Sequence, residues 1–511
     1  MTNATASSIH FGTDGWRAII GDDFTCTNVV KVADAAARVF KAASIEAGAT
    51  PEEPGTLYVG HDCRQDAHAY AALAAQVAAE HGFRVILTKD HCPTPTLCWS
   101  VAHDPQAVGG IMLTSSHNPA EYLGVKLRMA DGGASPKDFT DIVEEAIANT
   151  DAHGFDDPAI ALLAQLSVDS IQEALSKGDS LADLVSEIPA ETKPVQVRDL
   201  MPPYLDSLRQ QVDVDAIRDA SLRVVIDPLF GAGRHYLADL LREMGVTVEE
   251  IHNAEDPTFA GLHPEPIQPW VDEGLAKVAE LGYDALFTND GDADRISAGD
   301  SQGNFVNPHR IITLVTQNLA NRGGRGRVVS TVTASQQLAN ACEALGLEFV
   351  TTPVGFKWIY AEMEKGGVLV GGEESGGIGL PGHVKERDGL LMALLLTEMM
   401  AKEGKDLGQL VEDANDRFGR FAFTRRGLRL DPAQEAKADV ALTGQRVPEE
   451  VLGKAIARTD QRDGLKLILE DGSWVMMRKS GTEPLVRIYA EAPTDEIVEA
   501  LLDWAEGFLL A

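Results

Sequence analysis

Three segments of the chain share one pattern of apolar and polar positions. In each, an apolar run rich in β-branched residues leads into a helical segment and is followed by a second apolar run. The segments span residues 56–90, 222–253 and 326–355. Strands that alternate with amphipathic helices are typical of βαβ units and parallel-rich sheets. The pattern therefore predicts three similar α/β domains in series, with a helix over 389–404 closing the third.

The pattern changes after about residue 418. Between 464 and 492 apolar and polar residues alternate between turn signals, as antiparallel strands do, and a helix over 495–510 ends the chain. The predicted fold class is α/β: three similar domains with mixed, parallel-rich sheets, plus a smaller α+β domain at the C-terminus. We place these domains at 1–205, 206–305, 306–418 and 419–511. An acidic helical stretch at about 150–195 carries no motif and is interpreted as a surface insertion.

The composition is that of an ordinary globular protein, with 44% apolar and 24% charged residues. No apolar run reaches membrane-spanning length, and the first residues lack the basic and apolar blocks of a signal peptide. The five cysteines form no CxxC pair, so we expect reduced thiols, a cytoplasmic protein and no zinc cage.

The net charge of −34 restricts the possible partners. A surface this acidic repels nucleic acid and anionic lipid, so we expect neither as a partner. It also repels small anions. A phosphate-bearing substrate would therefore require the few cations of the chain to gather at one site.

The segment "NDGDADR" carries Asp290, Asp292 and Asp294 directly after an apolar strand. Spacing by two in a loop lets three carboxylates converge, and hard oxygen donors suit Mg²⁺ or Ca²⁺. An EF-hand is excluded because its loop positions six and twelve would hold Arg295 and Ser301 instead of glycine and glutamate. A solvated turn rich in aspartate is the alternative. Without a metal, however, three carboxylates at the end of a buried strand would repel one another.

The segment "RKSGTEPLVR" offers groups that suit a phosphate: two guanidinium groups, two hydroxyls and a glycine that lets backbone N–H groups approach. These residues are Arg478, Ser480, Gly481, Thr482 and Arg487. A hairpin with solvated arginines is the alternative. The "KSG" triplet also occurs in penicillin-binding enzymes, but no serine in this chain has the required lysine three residues later.

The segment "GGEESGGIGLPG" formally contains the glycine spacing of a dinucleotide site. Pro381 stands where the helix of that motif would begin, and no acidic residue ends a second strand about twenty positions further on. A loop that presents Glu373, Glu374 and Ser375 to sugar hydroxyls is the better interpretation.

The segment "TSSHNP" (114–119) places three hydroxyls, an imidazole and an amide in a turn that Pro119 stiffens. Five further side chains are each weak candidates alone: Arg17, Lys126, Lys357, His383 and Lys385.

Together and in this order, these motifs resemble the α-D-phosphohexomutase superfamily, which includes the phosphoglucomutases and phosphomannomutases. The similarity runs through "GTDGWR", "TSSHNP" with Gly124 and Lys126, "DGDADR", "GGEESGG" and "RKSGTEP…R", and so covers nearly the whole chain. It is closest to bacterial-type phosphoglucomutases.

The resemblance implies four domains around a central cleft, each contributing one loop. Ser116 would be carried as phosphoserine, and one Mg²⁺ would be held by the three aspartates and an oxygen of phospho-Ser116. His117, Lys126, Arg17 and Arg295 are similar to the family residues that surround the phosphoserine. Which of them is the general base stays open.

The resemblance further assigns the substrate contacts. Glu373 and Ser375 would hold the sugar hydroxyls, and Lys357, His383 and Lys385 are further candidates. The loop from Arg478 to Arg487 would hold the phosphate that does not react.

The implied reaction is the interconversion of glucose 1-phosphate and glucose 6-phosphate through glucose 1,6-bisphosphate, by a monomer or homodimer. "EESGG" and "GHVKERDGL" look closer to glucomutases than to phosphoglucosamine mutases. A phosphomannomutase or dual-specificity mutase is the main alternative, followed by a serine-dependent metal phosphatase and a non-catalytic sugar-phosphate-binding protein. Two residues depart from the family pattern: Leu123, where asparagine is frequent, and Arg387, where many glucomutases have lysine.

Overall fold

The computed structural model describes residues 9–185, 194–479 and 485–511. In chain order the strands are β1 (Trp16–Ile19), β2 (Thr56–His61), β3 (Arg84–Thr88), β4 (Ala107–Leu113), β5 (Tyr122–Met129), β6 (Gln196–Arg198), β7 (Arg223–Asp227), β8 (Thr247–Glu250), β9 (Ala285–Asn289), β10 (Ile296–Asp300), β11 (Phe305–Val306), β12 (Arg327–Thr331), β13 (Glu348–Thr352), β14 (Val368–Gly372), β15 (Ile378–Gly379), β16 (Ala422–Arg429), β17 (Glu450–Val451), β18 (Lys454–Asp460), β19 (Leu465–Leu469), β20 (Trp474–Lys479) and β21 (Leu485–Ala492).

The α-helices are α1 (Cys26–Glu46), α2 (Ala67–Glu80), α3 (Thr94–Ala102), α4 (Lys137–His153), α5 (Pro158–Leu163), α6 (Val168–Lys177), α7 (Met201–Gln210), α8 (Val214–Asp219), α9 (Tyr236–Glu243), α10 (Asp272–Leu281), α11 (Pro308–Asn321), α12 (Gln336–Leu345), α13 (Phe356–Glu364), α14 (Gly389–Glu403), α15 (Leu407–Phe418), α16 (Pro432–Leu442) and α17 (Asp495–Leu510). None of the helices in these described ranges is both long and apolar enough to cross a membrane.

The chain divides into two compact units. The first runs to Val306 and also takes in Gly376–Gly408; the second comprises Asn307–Ser375 and Gln409–Ala511.

The first unit contains two mixed sheets. One has the strand order β1-β5-β4-β2-β3-β6, with β2 parallel to β3 and β4, and β5 antiparallel to β4 and β1. The other has the order β11-β10-β9-β7-β8, with β7 parallel to β8 and β9, and β10 antiparallel to β9. The helix α2, which is rich in alanine, lies buried against the first sheet, and α10 packs on the second. The turns that follow β4 and β9 carry the serine and aspartate motifs.

The second unit contains a parallel and an antiparallel sheet. The strand β12 pairs in parallel with β13 and β14, whereas β16 to β21 form an antiparallel sheet in the order β16-β21-β20-β19-β18-β17. The helix α17 packs on this antiparallel sheet, and its N-terminus is capped by the Thr494 side chain. The predicted fold class of three α/β domains and a smaller α+β domain is confirmed.

The helix α14 lies in the first compact unit, where it packs against α8, β9 and β10. That it closes the third α/β module stays a prediction. Its residues from Gly389 to Met400 are buried without a solvated face. A helix that is apolar on all sides must be surrounded by other elements, and these were not its neighbours in sequence.

The stretch at 150–195 is more than a surface insertion where the structure describes it. The helices α5 and α6 pack on α2, and their apolar side chains belong to the core of the first unit; these are Ala159, Ile160, Leu163, Ile171 and Ala174. The acidic residues between them face outward. The stretch therefore forms an amphipathic layer of helices, although its composition is acidic.

The substitution Ile171→Ala tests whether this layer contributes to stability. Ile171 is fully buried in the core, so we expect a loss of about 2–5 kcal/mol in the free energy of unfolding of the first unit. Ile142→Ala on α4 is the control, because Ile142 is 53% exposed and its truncation should cost under about 1 kcal/mol. Urea denaturation followed by tryptophan fluorescence measures both. Equal, small effects would show that the layer is peripheral.

Candidate active site

The turn after β4 holds Ser116 in a constrained conformation. Its φ of 52° lies in the left-handed region, which is uncommon for a residue with a side chain. The Ser116 backbone N–H donates to Thr114 Oγ1 at 2.9 Å, and Thr114 Oγ1 in turn donates to Asp62 Oδ2 at 2.6 Å. Two of the three neighbouring hydroxyl residues therefore have different roles. The Thr114 hydroxyl stabilises the turn, and the turn holds Ser116 in position.

The Ser116 hydroxyl faces the aspartate motif. Its Oγ donates to Asp290 Oδ2 at 2.7 Å, and the two residues are 174 positions apart in sequence. Gly291 permits this approach, since a Cβ at this position would lie 2.4 Å from the Ser116 carbonyl oxygen. Glycine is therefore required at position 291, in the "DGD" motif, because the Ser116 turn packs directly against it. The structure brings together the two motifs on which the sequence interpretation depends.

The three carboxylates converge as predicted. Asp290, Asp292 and Asp294 are fully buried, and each offers an oxygen within 4.8 Å of the others. Burial, followed by the charges of Asp294 and Asp292, raises the pKa of Asp290 well above its ordinary value. The alternative of a solvated, aspartate-rich turn is therefore wrong, because none of these carboxylates reaches solvent.

Some carboxylate oxygens of the cluster have hydrogen-bond partners and two do not. Lys126 Nζ donates to Asp292 Oδ2 at 2.8 Å and to Asp294 Oδ2 at 2.9 Å, and Thr94 Oγ1 donates to Asp292 Oδ2 at 2.6 Å. Within the described chain, the Oδ1 atoms of Asp292 and Asp294 are buried without a hydrogen-bond partner. Buried carboxylate oxygens left in this state are costly, and a hard divalent cation would satisfy them. The donor set therefore fits a metal ion.

Asp14 is a member of this cluster that the sequence analysis missed. It accepts from Lys126 Nζ at 3.0 Å and from Arg128 Nη1 at 2.9 Å, and it also pairs with Arg387. Burial alone would raise the pKa of Asp14, but Arg128, Arg387 and Lys126 lower it well below the ordinary value. Its position in the quoted "GTDGWR" motif was the available signal.

Arg387, the departure from the family pattern, pairs with three carboxylates, one of which is Glu386, 2.9 Å from its Nε. Its Nη2 lies 2.8 Å from Asp294 Oδ2, and it also binds Asp14. Burial lowers the pKa of Lys126, but Asp14, Asp292 and Asp294 outweigh this and raise it above the ordinary value. Lys126 therefore remains charged near neutral pH. Leu123, the other departure, is fully buried in β5 as part of the core.

The remaining residues predicted around the serine lie close to it. His117 Nδ1 is 3.4 Å from Ser116 Oγ. Arg17 Nη1 donates to Asn118 Oδ1 at 2.6 Å, and the Arg295 backbone N–H donates to Asp290 Oδ1 at 3.0 Å. Burial lowers the pKa of the Arg17 guanidinium.

His383 and Lys385, predicted as substrate contacts, have protein partners in the first unit. His383 Nε2 lies 3.2 Å from Asp388 Oδ2, its side chain is 1% exposed, and Tyr204 donates to the same carboxylate. Lys385 Nζ donates to Asp131 Oδ2 at 2.9 Å. For His383 and for Lys385 a substrate contact stays a prediction.

The sugar-loop residues belong to the second unit. Glu373 is buried, and Glu374 accepts from Thr333 Oγ1 at 2.7 Å and from Thr331 Oγ1 at 3.2 Å. Ser375 ends this segment of the unit, and Lys357 lies in the first turn of α13 with its Nζ 5.4 Å from the ring of Trp358.

The phosphate-loop motif lies on the last two strands of the antiparallel sheet. Arg478 on β20 pairs directly with Arg487 on β21, and Arg478 Nε lies 3.1 Å from Asp463 Oδ2. Like charges opposite each other on a sheet are unfavourable unless an anion compensates them. The predicted residues Ser480, Gly481 and Thr482 lie outside the described residues.

Comparison with known proteins identifies the family. Models of the phosphoglucomutase/phosphomannomutase family match four consecutive parts of the chain: α/β/α domain I at residues 8–154, α/β/α domain II at 202–303, α/β/α domain III at 307–418 and the C-terminal domain at 432–504.

Individual proteins are similar to this chain over almost its whole length. A phosphoglucomutase/phosphomannomutase of Thermococcus kodakarensis is 30% identical, with 96% of both chains covered. A phosphoglucosamine mutase of Frankia alni is 29% identical, with 95% of both covered. The solved structure of a putative phosphomannomutase from Thermus thermophilus is 32% identical with a TM-score of 0.79, over 99% of this chain and 100% of that one. The chain therefore belongs to the phosphoglucomutase/phosphomannomutase family, within the α-D-phosphohexomutase superfamily, and is an isomerase of the intramolecular phosphotransferase type.

Proposed function

We propose that this enzyme interconverts glucose 1-phosphate and glucose 6-phosphate, with Ser116 carried as phosphoserine and glucose 1,6-bisphosphate as the intermediate. The observation that carries the proposal is the Ser116 hydroxyl, held 2.7 Å from Asp290 at the edge of a buried carboxylate cluster. A serine with no role in chemistry would gain nothing from a left-handed turn aimed at three aspartates.

The reaction consists of two phosphoryl transfers. In the first, the bond from phosphorus to Ser116 Oγ breaks and a bond forms to the 6-hydroxyl of glucose 1-phosphate, whose proton passes to a base of the protein. The bisphosphate then turns over. In the second transfer, its 1-phosphoryl group returns to Ser116 Oγ, whose proton passes to a base of the protein, as the bond to the sugar oxygen breaks. In each transfer, the oxygen that loses the phosphoryl group takes up a proton from an acid of the protein, which balances the proton released by the attacking hydroxyl.

Mg²⁺ held by Asp290, Asp292, Asp294 and an oxygen of phospho-Ser116 would neutralise charge on the transferred phosphoryl group. The protein itself orients the serine through the turn at 114–119. His117 Nδ1, at 3.4 Å from Ser116 Oγ, is close enough to exchange a proton with the hydroxyl after a small adjustment. Arg17 and Arg295 supply positive charge beside the same turn.

The other contacts are assigned to the second unit. Glu373 and Ser375 would form hydrogen bonds with the sugar hydroxyls, and Lys357 would add positive charge. Arg478 and Arg487 would clamp the phosphate that does not react, together with Ser480, Gly481 and Thr482. The direct pairing of the two arginines on β20 and β21 supports this, because a bound phosphate removes their mutual repulsion.

The choice of glucose rests on the motifs "EESGG" and "GHVKERDGL", which look like those of glucomutases. Similar proteins are described as acting on several sugars: one is a phosphoglucomutase/phosphomannomutase and another a phosphoglucosamine mutase. A mutase acting on mannose phosphate, or on both sugars, is the second candidate. The small sugar phosphate is the proposed partner, and a cytoplasmic location stays a prediction.

The activity test incubates the protein with glucose 1-phosphate, Mg²⁺ and a trace of glucose 1,6-bisphosphate. We expect glucose 6-phosphate, with a higher kcat/KM for glucose 1-phosphate than for mannose 1-phosphate. Ser116→Ala should lower kcat by more than about 10⁴-fold because the phosphate carrier is lost. Ser115→Ala is the matched control. The Ser115 hydroxyl is next to Ser116 in sequence but has no role in the proposal, so this variant should retain activity.

The products separate the alternatives. Release of free phosphate in place of glucose 6-phosphate would identify a phosphatase. Tight sugar-phosphate binding without turnover, unchanged by Ser116→Ala, would identify a non-catalytic binding protein. A mannose preference would leave the mutase mechanism intact and correct the substrate.

Asp292→Asn tests the metal site without any substrate. The change removes one charge from the cluster and one oxygen that lacks a partner, so we expect Mg²⁺ affinity to fall at least about 100-fold. Isothermal titration with MgCl₂ alone measures this. Asp300→Asn, at the far end of β10, is the control and should bind Mg²⁺ like the wild type. Equal affinity in both variants would exclude the aspartate cluster as the metal site.

A further inference from the structure

Arg64 contacts the Ser116 turn and belongs to none of the motifs found in the sequence. It follows β2 in the segment "GHDCR", and its side chain is fully buried. An arginine is seldom buried to this degree, because the guanidinium must find a partner for every N–H group it carries. The partners that Arg64 finds indicate what it does.

All five N–H groups of the Arg64 guanidinium have acceptors, and only one acceptor is a carboxylate. The Nε group donates to Asp62 Oδ2 at 3.2 Å. The two Nη groups donate to four backbone carbonyl oxygens between the turn and the first residue of β5, those of Ser116 at 2.7 Å, Asn118 at 2.6 Å, Pro119 at 2.6 Å and Tyr122 at 2.9 Å.

The guanidinium is itself held in place from two sides. Asp62 accepts from the Arg64 backbone N–H at 3.0 Å as well as from Nε, and the same carboxylate accepts from Thr114 at the start of the turn. On its face, the guanidinium lies 4.9 Å from the centre of the Phe259 ring. Asp62 and Phe259 therefore fix the orientation of the guanidinium independently of the carbonyl groups that it binds.

These bonds replace regular secondary structure in a segment that needs a fixed shape. Residues 116–121 form neither helix nor strand, and Ser116 adopts a left-handed conformation that costs energy. The Ser116 carbonyl is confined between the Arg64 Nη2 group and Gly291. With its carbonyl fixed, the serine has little freedom in where it directs Oγ.

We propose that Arg64 is a positioning residue for the transfer step: by holding these four carbonyl groups, it fixes the line along which Ser116 Oγ gives and receives the phosphoryl group. The proposal rests on the proposed function, because it assumes that Ser116 carries the phosphate. In-line transfer is sensitive to misplacement, and a shift of about 1 Å costs on the order of 100-fold in rate.

The rival explanation is that Arg64 merely stabilises the first unit. The two explanations differ in what Arg64→Lys should do. Lysine keeps the positive charge and the aliphatic stem but has three donors at one point, so it cannot reach four carbonyl groups spread from Ser116 to Tyr122. Arg327→Lys is the matched control, because Arg327 also donates to two backbone carbonyl groups, those of Glu362 and Gly366, but in the second unit.

The experiment measures amide hydrogen exchange across residues 114–122 and steady-state mutase kinetics on the full-length protein. For Arg64→Lys we expect faster exchange confined to this turn, a kcat lower by about 100-fold and a KM for glucose 1-phosphate within about threefold of the wild type. Arg327→Lys should leave both the turn and kcat unchanged.

Phe259→Leu is the second variant in case Arg64→Lys fails to fold. It leaves the guanidinium in place but removes the ring beneath it, so the same pattern should appear with a loss of about 3–10-fold in kcat. Faster exchange throughout the first unit, or a turn that exchanges faster while kcat is unchanged, would overturn the proposal.

The design also separates this inference from the proposed function. If the wild-type protein converts no sugar phosphate, the proposed function fails. The exchange data then decide whether Arg64 orders the turn: unchanged exchange in Arg64→Lys overturns that as well, and faster exchange confined to the turn supports it.

Discussion

The hydrogen bond between Ser116 Oγ and Asp290 Oδ2 is the constraint on which the rest of the site depends. It requires two turns, one at the end of β4 and one at the end of β9, to approach within about 3 Å. That approach explains local features that would otherwise be unrelated. Gly291 has no side chain because the Ser116 carbonyl occupies its space, and Ser116 accepts a left-handed conformation because the turn must point toward the aspartates.

Charge is the second constraint. The chain has a net charge of −34, and the buried cations beside the aspartate motif are paired with carboxylates. Lys126 connects Asp14, Asp292 and Asp294, and Arg387 connects two of the same three. This pairing leaves two carboxylate oxygens without hydrogen-bond partners in the described structure. The network therefore holds the aspartates in place without satisfying all of their oxygens, and the donor set fits a metal ion.

Local patterns in the sequence predicted most of the fold and much of the site. The helix expected at 495–510 is α17, and the serine and aspartate motifs meet as expected. Contacts between distant segments could not be predicted from the sequence. The helix α14 is apolar on all sides and packs on strands far from it in sequence, and the acidic stretch at 150–195 hides buried residues. Asp14 and Arg64 act through partners more than fifty positions away, which no local pattern reveals.

The most direct test of the account places a paramagnetic ion next to the serine. Phosphorylated protein loaded with Mn²⁺ in place of Mg²⁺ should show a strong ³¹P hyperfine coupling in pulsed electron nuclear double resonance. The coupling should come from a single phosphoserine and disappear in Ser116→Ala, because the phosphate on Ser116 would lie in direct contact with the ion held by the aspartates. A phosphorylated Ser116 without coupling to bound Mn²⁺ would contradict the account, since serine and metal would then belong to separate sites.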